Sequence, residues 1–132
     1  MQSEQTGRES LSYRIARVVY AETEAKSLKL IEAMTSMIAN RAKKLNLALE
    51  NIISDKTIFT CLEETSGRHE LLRIDEKDEK FQVCLRTAQR MLHDVLEDKC
   101  YRAIIFHHDS VSPDWAFGRG YIADIDGFLF YR

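Results

Sequence analysis

The sequence predicts an α+β domain, a helical body with a small antiparallel β-sheet near its C-terminal end. Three observations predict it. Apolar stripes at helical spacing run through three segments, 11–24, 28–44 and 81–96. A two-residue hairpin signal, Asp126-Gly127, separates two short apolar runs near the end. With 132 residues there is room for one domain whose core needs neither metal nor disulfide.

Residues 1–10 are polar, carry Glu4, Arg8 and Glu9, and are expected to be a flexible segment before a single domain at 11–132. The first helix is expected from Ser10 or Leu11 to Glu24, with Ser10 or Ser12 as its N-cap. Leu11, Ile15, Val18 and Val19 form its stripe, and three residues past Val19 the stripe lands on Glu22. A carboxyl group at that position points inward. Burial disfavours the charged form, so Glu22 is expected to have a raised pKa and to hold a proton as a general acid does. The structural alternative is an ion pair with Arg14, Arg17 or Arg41.

The second helix is expected over 28–44, with Ile31, Met34, Ile38, Ala42 and Leu45 on one face. Asn40 and Arg41 lie near its end, where Asn commonly serves as a cap and a cation suits the dipole. From 46 to 77 the periodicity fails, except for Thr57-Ile58-Phe59-Thr60-Cys61-Leu62, whose composition suits a short strand. Thr65-Ser66-Gly67 is turn chemistry. So long an irregular stretch in a small domain is more often a functional loop than filler.

The third helix, over 81–96, places Phe81, Cys84, Leu85, Ala88, Met91, Leu92, Val95 and Leu96 inward, with Arg86, Gln89, Arg90 and Asp94 opposite. Ala103 to Phe106 reads as a strand. The runs 121–125 and 128–132 read as the two arms of a hairpin around Asp126-Gly127.

A formal net charge of -2, with acids and bases interspersed, argues against a surface dedicated to nucleic acid or anionic lipid. Cys61, Cys84 and Cys100 are odd in number and lack C-x-x-C spacing, so neither a disulfide framework nor a zinc site is expected. Adjacent His107 and His108 point to opposite faces of a strand and make no joint metal site. No cofactor or metal is therefore expected. The first residues show no signal-peptide pattern, and no apolar run is long enough to span a membrane.

Several segments in order resemble the SleB/CwlJ-type cell wall hydrolases, the family of the spore cortex-lytic enzymes. ARVVYAET places Glu22 on that family's catalytic glutamate, and Asn40-Arg41 follows eighteen residues later, in register with its NR pair. FTC around Phe59 resembles its aromatic central segment. FHHDSVSPDWA matches its histidine…P-x-W-A segment, with His107 eight residues before Trp115, and the closing FLFYR matches its H-x-FYR. The chain departs from the family at Ala25 and Lys26, where Gly and Glu are usual, and at Phe128, where His is usual.

The resemblance spans roughly residues 14 to 132 and implies a lysozyme-like helical body that acts, as a monomer, on peptidoglycan glycan strands. By analogy it implies a lytic transglycosylase, cutting between N-acetylmuramic acid and N-acetylglucosamine and leaving a 1,6-anhydro sugar. One glutamate serves such a reaction twice, first as acid and then as base toward the muramoyl C6 hydroxyl. Asp109, Asp114 and Asp124 remain candidates for a second carboxylate. His107 is expected to contact sugar hydroxyls or orient Glu22, or else to be a hydrogen-bonded strand-end histidine. Trp115, Tyr131 and Phe59 are expected either as sugar platforms or as core aromatics. The rival functions are a glycan-binding relative without turnover, which Lys26 and Phe128 favour, and a cytoplasmic interaction protein.

Overall fold

A computed structural model of the chain describes residues 2–132, and side chains from Leu11 onward. Among the described residues there are four α-helices and one three-stranded antiparallel sheet, an α+β fold. Helix α1 (Gln2–Thr23) runs straight through Ser10 and Ser12, so neither caps it. The flexibility expected of residues 1–10 concerns a stretch whose side chains lie outside the described residues. Ile15, Val18, Val19 and Glu22 are all buried along one face, as the stripe requires.

Helix α1 ends in two successive left-handed residues, Glu24 (φ 55°) and Ala25 (φ 51°). Ala25 is nearly buried and its amide donates to the Thr23 hydroxyl. Glycine adopts this backbone region without the Cβ clash that alanine suffers. Ala25→Gly is therefore expected to stabilise the protein by about 1 kcal/mol, read as an increase in the urea midpoint.

Helix α2 (Leu28–Leu45) is capped by Ser27, whose hydroxyl accepts from the Leu30 amide and donates to Asp126 at 2.6 Å. Its other end is closed by Asn46 (φ 54°), with the Leu47 amide donating to Ala42 and that of Asn46 to Lys43. The cap is thus Asn46 and not Asn40. Asn40 instead donates to the carbonyl of Ala103, tying α2 to the approach of the sheet.

The expected strand at 57–62 does not form. A short helix α3 (Leu49–Ile53) precedes it, Asp55 holds both the amide and the hydroxyl of Thr57, and Thr60–Leu62 makes a single 3₁₀ turn. The residues are suited to a strand, but the Cys61 amide donates to Glu22, not to a neighbouring strand. Helix α4 (Glu79–Leu92) begins on the Asp78 side chain and stops four residues short of expectation. Asp94 turns left-handed (φ 59°) and the Val95 amide closes back on Arg90, which leaves Val95 exposed. Arg17 joins these parts: its guanidinium donates to the carbonyls of Leu72 and Ile74 and lies over the Phe81 ring.

The strands are β1 (Ile105–His108), β2 (Ala123–Ile125) and β3 (Phe128–Tyr131), in the order β1-β3-β2. The hairpin turns at Asp126 (φ 53°) and Gly127 (φ 84°), as Asp-Gly predicts. At Gly127 a Cβ would also stand 3.1 Å from the Asp109 carboxylate. Phe106, His108, Ile125, Phe128 and Phe130 face the helices, while His107, Leu129 and Tyr131 face away from them. No helix among the described residues is long and apolar enough to cross a membrane.

Candidate functional site

Three distant segments converge on Glu22. The last turn of α1 carries it into the interior, where it is 0% exposed. Its Oε1 accepts from the Cys61 amide at 3.0 Å. Its Oε2 accepts from the Thr60 hydroxyl at 2.7 Å and meets His108 Nε2 at 2.6 Å. An ionised carboxylate offers only acceptors, so that ring nitrogen is the donor. The Thr60-Cys61 turn is itself held from the outside, where His69 Nδ1 donates to the Cys61 carbonyl at 3.0 Å.

This network reverses the pKa expected of Glu22. Burial does push the carboxyl up, but the hydrogen bonds from His108, the Cys61 amide and Thr60, together with the His108 charge, outweigh it and hold the pKa below the usual carboxylate value. The donors come from residues 60, 61 and 108, which no local pattern around residue 22 reveals. None of the expected arginines pairs with Glu22; its ionic partner is His108.

The other expected site residues divide into two groups. Phe59 is fully buried and packs against Phe106, so it is a core residue and not a sugar platform. His107, Trp115 and Tyr131 do come together, but on the sheet face turned away from the helices. Nδ1 of His107 donates to the His108 carbonyl at 2.8 Å, and its Nε2 pairs with the Tyr131 hydroxyl at 2.9 Å. The Trp115 ring meets both at an angle, and the Arg119 guanidinium lies over Trp115 and Tyr131. Tyr131 is only 4% exposed, so its ring is covered and not presented.

The expectation that His107 orients Glu22 is therefore corrected, and Trp115 and Tyr131 lie with it away from Glu22. Alternation along β1 sends His108 to Glu22 and His107 to the opposite face. On that outer face a groove of about 410 Å³ is lined by His107, Asp109, Asp114, Phe117 and Tyr121, among others. Phe117 is 92% exposed and Tyr121 more than half exposed. These two are freer to stack on a ligand than Trp115, and sequence reasoning did not single them out.

Sequence reasoning also missed His108 and Thr60. The available signal for His108 was the adjacent histidine pair, because strand alternation obliges one of the two to face inward. Phe128 packs against it at a tilt, ring centroids 4.4 Å apart, and Lys26 lies over the Phe128 ring, so two of the three departures noted in the sequence meet beside the Glu22 pair.

The three cysteines are free and buried. Burial, strengthened by nearby Asp78, pushes Cys84 up to about 12, and burial likewise raises Cys61, beside Glu22, and Cys100, beside Asp98. Thiols are poor nucleophiles under these conditions. Native protein at pH 8 is expected to resist iodoacetamide and to label fully only in denaturant. Labelling of Cys61 in native protein would show that the turn over Glu22 opens readily.

Among the described residues, no group of three His, Cys, Asp or Glu side chains stands ready for a metal ion. Comparison of the chain with family models, curated proteins and solved structures finds no match in any of the three.

Proposed function

We propose that this chain cleaves the glycan strand of peptidoglycan as a lytic transglycosylase, with Glu22 as its one proton-carrying carboxylate. The observation that carries the reading is an inward carboxylate whose Oε2 is met by a histidine and by the hydroxyl of Thr60, an exposed residue. Glu22 thus lies one side chain below solvent. The ordered set of segments resembling the SleB/CwlJ-type hydrolases, from ARVVYAET to FLFYR, supports the same reading.

In this mechanism the Thr60 hydroxyl swings away and a sugar ring takes its place. One of the interactions that hold the Glu22 pKa down is then lost, while enclosure, which acts the other way, remains. With the His108 ring carrying both its protons, the Nε2 proton passes to Oε2 and leaves a neutral imidazole. Glu22 gives that proton to the glycosidic oxygen as the bond to the anomeric carbon breaks. The resulting carboxylate then takes the proton of the muramoyl C6 hydroxyl as that oxygen attacks the anomeric carbon.

One observation favours a second reading, glycan binding without turnover: Glu22 is fully enclosed, and the exposed aromatics lie on the other sheet face. Incubation with purified sacculi separates the two. Cleavage predicts a falling turbidity, and binding alone predicts co-sedimentation at constant turbidity. A protein that neither clears nor sediments with sacculi contradicts both.

A further inference from the structure

Although charge is mixed along the chain, the fold gathers cations at one place. The C-terminal turn of α2, the turn before β1 and the end of β3 enclose an open cavity of about 570 Å³, lined by Asn40, Lys43, Lys44, Arg102, Ile104 and Arg132. Four of these six side chains are positive and none is negative. No one of the four forms an ion pair among the described residues. Lys43 and Lys44 alone would be explained by the α2 dipole, which cations offset. Arg102 and Arg132 come from other segments and have no such explanation.

Both arginines are aimed. Tyr101 (φ 54°) and Arg102 (φ 65°) are consecutive left-handed residues, a costly backbone for side chains with a Cβ. Asp98 fixes this turn by accepting from the amides of Cys100 and Arg102 at 2.9 and 2.8 Å. The carbonyl that the turn presents, that of Tyr101, accepts from Arg132 Nε at 3.1 Å. One strained turn thus places the first arginine and anchors the second, and the terminal nitrogens of Arg132 make no hydrogen bond among the described residues.

We propose that this cavity is a binding site for phosphate oxygens that together carry two or more negative charges, on one phosphate or on two neighbouring ones. Planar guanidinium forks match phosphate oxygens in pairs, and the two lysines add point charges at the rim. The volume suits a small ligand or one unit of a polymer. Ile104 and His108 are four residues apart on an extended chain, which places the cavity about 13 Å along the strand from the Glu22 pair. The site is distinct from Glu22 and stands whether or not glycan is cut.

The test is calorimetric titration of the full chain with inorganic pyrophosphate at low salt, repeated with Lys44→Gln/Arg102→Gln. Both positions are exposed, and circular dichroism checks that the double variant keeps its fold. Expected are saturable binding at one site per chain, weakening with added salt, and a loss of affinity of at least about tenfold in the double variant. A glycerol-phosphate polymer that binds more tightly than pyrophosphate would assign the phosphate to a wall polymer; equal or weaker binding would assign it to a small free ligand. Absence of saturable binding, an unaffected double variant, or equal affinity for citrate overturns the proposal.

Discussion

Glu22→Gln is expected to abolish glycan cleavage, by at least about a hundredfold, and to destabilise the protein by about 3 kcal/mol at neutral pH. The amide keeps the shape and still accepts from Cys61 with one oxygen. Its NH₂ would confront His108 Nε2 and the Thr60 hydroxyl, however, and the His108 charge would lose its partner. For a domain of this size the loss corresponds to a fall in melting temperature of roughly 10 °C. The pH dependence has a definite sign. The folded carboxyl is held below its unfolded pKa, so its contribution is complete above the ordinary carboxylate range and disappears as pH falls through the folded value. The stability gap between wild type and Glu22→Gln should therefore narrow on acidification. Urea denaturation at a series of pH values measures it, and a gap that widens toward acid would mean that Glu22 is protonated in the resting protein.

Phe59→Ala is expected to cost about 3–5 kcal/mol, the range for emptying an aromatic site in a packed core. Phe59 is 0% exposed, packs against Phe106, and sits one residue before the turn that supplies Thr60 and Cys61 to Glu22. Its loss should loosen that turn as well as the core. A platform at the surface would behave in the opposite way, with a loss below about 1 kcal/mol and a large fall in glycan affinity. Equilibrium unfolding in urea distinguishes the two directly.

The sequence made the three long helices and the hairpin legible because both are written in local patterns, whereas the five-residue α3 has too few turns to show one. The stripe from Leu11 to Glu22 needs only the helical period, and Asp126-Gly127 needs only the backbone preferences of two residues. Strand formation at 57–62 was not legible in the same way. Residues that favour a strand still need a neighbour to pair with, and here the Cys61 amide found Glu22 instead. The extent of α4 depended on a single left-handed residue, Asp94, which the apolar stripe passed over.

At the site, the inward position of Glu22 was legible and its ionisation was not. Burial is a property of the helix face, whereas the three groups that hold the charge arrive from tertiary contacts 38, 39 and 86 residues away. The histidine pair shows the same division. Alternation said that His107 and His108 face apart, but only the docking of the sheet on the helices decides that His108 is the inner one.

The most direct measurement of cleavage by a single carboxylate is the mass of the products released from purified peptidoglycan. Glu22 acting first as acid and then as base predicts muropeptides that end in 1,6-anhydro-muramic acid, each lighter than the hydrolysis product by the elements of water. Products with reducing ends would require a water nucleophile and contradict the single-carboxylate mechanism, and the absence of any soluble product would contradict cleavage itself.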